Sequence, residues 1–201
     1  MTRSTVLGLL ACLIAIRIAA TSFSAVAGSS DAATYNKDGE MTFPSNYREW
    51  IYLSSGFDMN YNPQSASSDT SAHSTFDNVF VNPMAYRGFL GRGVWPDKTV
   101  LVLELRDAQS KGSINKSGHY QSSAIKGLEV HVKDEGRFPG KWVFFGFDNK
   151  ASGKLIPQSA SCYSCHAEHG AVDNTFVQFY PTLLAIAEKK GTVNSAYRPE
   201  N

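Results

Sequence analysis

Residues 162 to 166 read Cys-Tyr-Ser-Cys-His, and no other segment concentrates as much reactive chemistry. Two thiols three positions apart can each form a thioether to one vinyl group of a porphyrin. An imidazole directly after the second thiol then lies under the metal, so one short segment both tethers the group and ligates it. The C-x-x-C-H spacing therefore points to covalently attached haem c, one per chain, held through Cys162 and Cys165 with His166 as iron ligand. Two other readings compete. A structural zinc site wants about four ligands, and His169 is the one further candidate nearby. A thioredoxin-type pair wants a strand before it and a helix after it in a βαβ unit, whereas this pair lies near the C-terminus of a chain with few βαβ signals.

The opposite axial position is the more informative one. A methionine downstream of the motif is a common second ligand in electron-carrying cytochromes c, but no methionine follows His166. His169, three residues along the same helical turn, points to roughly the side His166 does. The upstream candidates are Met41, Met59, Met84, His73, His119 and His131. Met84 follows Asn82-Pro83 at an expected helix start, where an apolar residue is more often core than ligand. His131 sits in an alternating strand and faces either water or a pocket. The expectation is an open sixth position, and an open iron site binds or transforms small molecules.

The first 27 residues pair an early basic residue, an apolar stretch from Val6 to Ile16, and small residues at Ala25 and Ala27. This is the order of a secretory signal peptide cleaved after Ala27, and it predicts export to the periplasm. The apolar run is short for a membrane span and Arg17 interrupts it, so no stable membrane span is expected. Cys12 after Leu9-Leu10-Ala11 only loosely resembles a lipoprotein box. Of 19 basic residues, removal of Arg3 and Arg17 leaves 17 against 18 acidic ones, a formal net charge of −1. That balance offers nothing to a nucleic-acid partner. About 170 residues remain, enough for one domain with a real core.

The elements that must position the motif can be read from periodicity. Residues 28–40 read as a loose N-terminal segment, residues 41–192 as the haem domain and 193–201 as a flexible tail. Pro44-Ser45-Asn46 offers a cap for a short helix running into Trp50, and residues 58–75 read as a long polar loop. Phe76 to Val81 reads as a strand, and Asn82-Pro83 opens a helix through Leu90 that Gly91-Arg92-Gly93 ends. In the strand from Lys98 to Arg106, Val100, Val102 and Glu104 share one face and Leu101, Leu103 and Leu105 the other; apolar on both sides, it belongs in the middle of a sheet. A Gly- and Ser-rich connection from Ser110 to Ser123 leads to a strand from Gly127 to Asp134, and Lys141 to Asp148 completes the sheet with Trp142, Phe144 and Phe147. Short connections favour antiparallel pairing. With the C-x-x-C-H segment and a final helix from Thr175 to Lys190 near the C-terminus, the fold class is α+β, a mainly antiparallel sheet with a few short helices.

The chain resembles the cytochrome P-460 family, which includes the cytochromes c′-beta. The likeness runs from about Glu40 to Leu184. It rests on Pro44-Ser45-Asn46-Tyr47-Arg48-Glu49-Trp50, Val79-Phe80-Val81-Asn82-Pro83 with Tyr86, Trp95-Pro96-Asp97, Gly127-Leu128-Glu129 with Val132-Lys133-Asp134, and the C-x-x-C-H followed by Thr175-Phe176-Val177-Gln178-Phe179-Tyr180-Pro181. The resemblance implies a five-coordinate haem, usually in a homodimer. It also implies one of two activities. Members that oxidise hydroxylamine carry a lysine cross-linked to the porphyrin; c′-beta members lack it and bind nitric oxide or carbon monoxide.

Aligned without gaps from Pro96-Asp97, the cross-linking lysine falls on Leu103. Lys98 and Lys111 are near in sequence, but Lys98 is five residues away, an odd offset that puts it on the other strand face. Glu129 matches a distal glutamate of the hydroxylamine-oxidising members and is the candidate acid/base, against the alternative of a solvated strand glutamate. Asp77 falls where some members have an active-site arginine. The favoured expectation is a haem c protein with an apolar open side, crowded by Leu103 and Phe80, that binds nitric oxide or a related ligand. A hydroxylamine-oxidising enzyme using Glu129 and an external redox partner protein is the alternative, and a periplasmic electron carrier with a sixth protein ligand is the third.

Overall fold

Strand alternation sorts this sequence into two faces. A computed structural model describes residues 31–59, 74–148 and 151–197. The expected leader, residues 1–27, lies outside the described residues, as do His73, most of the expected 58–75 loop and residues 198–201 of the expected tail.

The strands are β1 (Met41–Thr42), β2 (Ile51–Phe57), β3 (Thr75–Val81), β4 (Thr99–Gln109), β5 (Tyr120–Gln121), β6 (Gly127–Lys133), β7 (Trp142–Phe147) and β8 (Ser152–Leu155). All the strand pairings are antiparallel. The order across the sheet is β1-β8-β7-β6-β4-β3-β2, with β5 pairing the end of β4. β4 is central as its two apolar faces require, flanked by β3 and β6. β5 lies inside the expected irregular connection: Tyr120 and Gln121 pair with Gln109 and Ala108, extending the β4 edge.

One face carries Val81, Leu101 and Trp142 and is covered at one end by α1 (Pro83–Arg92) and α3 (Pro181–Lys190), which bury Phe89, Leu183 and Ala187. Full burial of a side chain such as Phe89 contributes roughly 2–3 kcal/mol. α1 begins with Pro83 in its first turn, where a missing N–H costs nothing, and ends at Gly93 in the left-handed region (φ 76°). Met84, expected in the core, is exposed on α1. The expected single helix from Thr175 is two pieces, a 3-10 turn at Val177–Phe179 and then α3. Pro181 cannot continue a helix from before it but can start one.

The other face carries Val100, Val102, Val130, Val132, Phe145 and Phe147, packed against Met41, Tyr47 and Trp50. Residues expected to be loose take part here: Tyr35 bridges to Met41 and packs its ring against Phe138 and Phe145. Buried Glu104 also lies on this face, bound by Tyr47, Arg48, Arg106 and Asn78. Burial would raise its carboxyl pKa, but the Arg106 and Tyr47 hydrogen bonds and the guanidinium charges hold it below the usual range.

Candidate haem site

The remaining part of the first face is an apolar cavity of about 480 Å³ between the sheet and the C-x-x-C-H segment. Register explains its floor. Three rows cross the strands: Val81–Leu101–His131–Phe144, then Val79–Leu103–Glu129–Gly146, then Gly56–Asp77–Leu105–Gly127. Leu101, Leu103, Leu105, Val79, Asp77, Glu129 and His131 all line the cavity.

The roof is α2 (Ser161–His169). Cys162 and Cys165 fall at i and i+3, hence on one helix face; both thiols are free and both line the cavity with His166. Tyr163 pins this helix to the sheet. Its hydroxyl donates to the Ile156 carbonyl at 2.9 Å and accepts the Phe144 amide at 3.3 Å, and its ring meets Phe144 edge-on.

His166 is oriented from several directions. Its Nδ1 lies 2.9 Å from the backbone carbonyl of Asn174; a carbonyl can only accept, so Nδ1 carries the proton and Nε2 keeps a lone pair for a metal. Phe176 stacks on the imidazole at 4.2 Å between centroids, and His131 stands against it at 4.7 Å, nearly perpendicular. Burial lowers the His166 pKa, and burial followed by the neighbouring His166 holds His131 well below the usual imidazole value. Both rings are therefore neutral.

The carbonyl is aimed by a two-residue turn. Asp173 and Asn174 both have positive φ (53° and 58°), a backbone that Asp and Asn tolerate better than other non-glycine residues. The Thr175 amide closes the turn on the Val172 carbonyl at 2.9 Å. Lys133 of β6 anchors Asp173 at 2.6 Å, and the Trp95 indole donates to the Thr175 hydroxyl at 2.8 Å. The turn also crosses Gly170 closely: a Cβ there would lie 2.6 Å from the His166 carbonyl oxygen and 2.8 Å from the Thr175 nitrogen. Asn174, Phe176 and Gly170 were not among the residues expected at the site. The Asp-Asn pair and the glycine after the helix were the visible signals, but which carbonyl they aim is a tertiary fact.

The candidates for the opposite axial position separate cleanly. Met41 is buried in the other core, Met84 and His119 are exposed, and His169 is exposed beside Glu168. His131 lies beside His166 and supports it. Met59 lines the cavity, admitted by Gly56, whose missing side chain leaves the space its thioether fills. Leu103 lies on the cavity wall. Phe80 does not: it pairs with Val102 on the far face and packs against Tyr47 and Tyr52. The β3 residue opposite Leu103 is Val79, one position away, and a one-residue offset reverses the face. No lysine or arginine lines the cavity among the described residues. Lys98 precedes β4 and pairs with Asp134, Lys133 with Asp173, and Lys111 is exposed.

Glu129 is exposed into the cavity, and desolvation raises its pKa. Asp77 is pushed up to about 6 by burial first, then by the charges of Asp58 and Glu129.

The residues fit a large, flat, apolar group with a metal at its centre. Two free thiols, one imidazole with an available Nε2, and leucine and phenylalanine walls converge on the cavity. A zinc site does not fit, since no group of three or more His, Cys, Asp or Glu suited to a metal occurs among the described residues. Nor does a thioredoxin-type pair, because α2 follows an antiparallel sheet without a βαβ unit.

A family model described as Cytochrome P460 matches residues 44–177, a span that includes the floor strands, α2 and the Asn174 turn. No curated protein matches the chain. No helix among the described residues is long and apolar enough to cross a membrane.

Proposed function

Because the chain belongs to the cytochrome P460 family, we propose that it is an exported mono-haem c cytochrome whose sixth iron position is open and binds nitric oxide or a related small ligand. Cys162 and Cys165 would hold the haem by thioethers, and His166, fixed by the Asn174 carbonyl, would ligate the iron. Bound there, haem supplies an iron centre that takes up diatomic ligands and exchanges single electrons. Leu103, Leu105 and Val79 would limit water around the ligand.

The observation that carries this reading is Leu103 on the cavity wall, where the resemblance expects the cross-linking lysine of hydroxylamine-oxidising members. No lysine replaces it on that wall among the described residues. Titration of the purified protein with nitric oxide, with mass analysis of the haem peptide, tests it. A nitrosyl spectrum with two thioether links and no third supports the reading, and a third link overturns it.

One observation favours a second reading, oxidation of hydroxylamine: Glu129 is a carboxylate on the same wall, with a pKa raised toward acid/base use. Turnover of hydroxylamine with a redox dye, abolished in Glu129→Gln, would support it over simple ligand binding. Residues 1–27 support export to the periplasm with cleavage after Ala27, which N-terminal sequencing of the mature protein checks. The family resemblance also supports a homodimer, tested by sizing in solution.

A further inference from the structure

Among the described residues, the cavity wall carries two carboxylates and no cationic side chain. Asp77 on β3 and Glu129 on β6 both line it, one on each side of β4 and its Leu103 and Leu105. Two inter-strand spacings, roughly 10 Å, separate β3 from β6, which leaves room between the carboxylates for a ligand of a few atoms. Asp58, just past β2, adds a third negative charge within reach of Asp77.

Among the described residues that line the cavity, none balances these charges. Neither Asp77 nor Glu129 forms a hydrogen bond or ion pair with another described residue. Of the basic side chains on and beside the surrounding strands, Arg48 and Arg106 are engaged on Glu104 across the sheet, Lys98 on Asp134 and Lys133 on Asp173, and Lys154 of β8, in register with Gly146, is exposed and does not line the cavity. An apolar wall also weakens dielectric screening, so a carboxylate there acts on a nearby charge more strongly than one in open water.

We propose that Asp77 and Glu129 make the small-ligand site charge-selective, disfavouring anions and leaving it to neutral ligands. The proposal rests on the open-site reading above. An anion entering the cavity meets uncompensated like charge, and it either binds weakly or forces a carboxylate to take up a proton. A neutral diatomic meets no such barrier. The iron contributes its own positive charge, but that charge is common to the wild type and the variants below, so their comparison isolates the carboxylates.

The test compares azide and nitric oxide binding to the ferric holoprotein at pH 8, for the wild type, Asp77→Asn, Glu129→Gln and the double variant. Each single substitution should raise the azide-to-nitric-oxide affinity ratio roughly tenfold, and the double variant should raise it further. Should one single variant fail to retain folded haem protein, the other decides. An unchanged or lower ratio in the variants overturns the charge selectivity while leaving the open site intact. A wild type that binds neither azide nor nitric oxide overturns the open-site reading and the selectivity with it.

Discussion

The Nδ1 nitrogen of His166 donates to the backbone carbonyl of Asn174 at 2.9 Å, so the residue that turns the imidazole toward the cavity does so through its main chain. Asn174 holds a positive φ of 58°, which its side chain tolerates better than most. Asn174→Gly keeps both the carbonyl and the conformation and should leave the haem spectrum unchanged. A large axial shift in that variant would contradict main-chain orientation.

Gly170→Ala acts on the same bond from the other side. Its methyl would meet the backbone of His166, Asn174 and Thr175, and the turn would have to move off the imidazole. The expected loss is about 1–3 kcal/mol of holoprotein stability, as for one orphaned buried partner, together with an altered axial spectrum. Denaturant melts and visible spectra check it, and a fully stable variant with a wild-type spectrum contradicts the account.

His166→Ala should leave haem attached through Cys162 and Cys165 while removing the axial ligand. Haem staining on a denaturing gel reports the attachment, and the visible spectrum reports the ligand. An unchanged axial spectrum would show that another residue ligates the iron.

Asp77 ties stability to pH. Its pKa is raised from about 3.9 in an unfolded chain to about 6 in the fold, so between those values the native state binds more protons than the unfolded one. Stability contributed by this group is therefore greatest at low pH, declines as pH rises through that window, and is lost above it. Asp77→Asn should stabilise the holoprotein by about 1–2 kcal/mol at pH 8, after discounting for partial solvation, and by far less at pH 4. Equal effects at the two values, read from denaturant melts, would contradict it.

How far the chain could be read in advance follows from range. Alternation put Leu101, Leu103 and Leu105 on one side of β4 and Glu129 with His131 on one side of β6, because side-chain direction in a strand is a local property with a period of two; that the two sides form one face is set by register. The C-x-x-C-H motif was equally legible, since its two thiols and its imidazole lie within about one helical turn. Phe80 was assigned to the wrong face because its neighbour across β4 depends on register, and one residue of offset separates it from Val79. The role of Asn174 was hidden for the same reason: eight positions separate it from His166, and their meeting depends on how closely the turn crosses Gly170. Tyr35 read as part of a loose start because nothing local reveals that the far face of the sheet needs a cover.

The central claim is an iron with one protein ligand and an open opposite side, and Met59 is the residue on the wall best able to close it. The most direct test is the visible spectrum of the purified wild-type protein before and after nitric oxide, with Met59→Leu measured beside it. The account predicts a high-spin five-coordinate spectrum that nitric oxide converts to a nitrosyl form, with Met59→Leu indistinguishable from the wild type. A low-spin six-coordinate spectrum that ignores nitric oxide, and becomes high-spin in Met59→Leu, would contradict it.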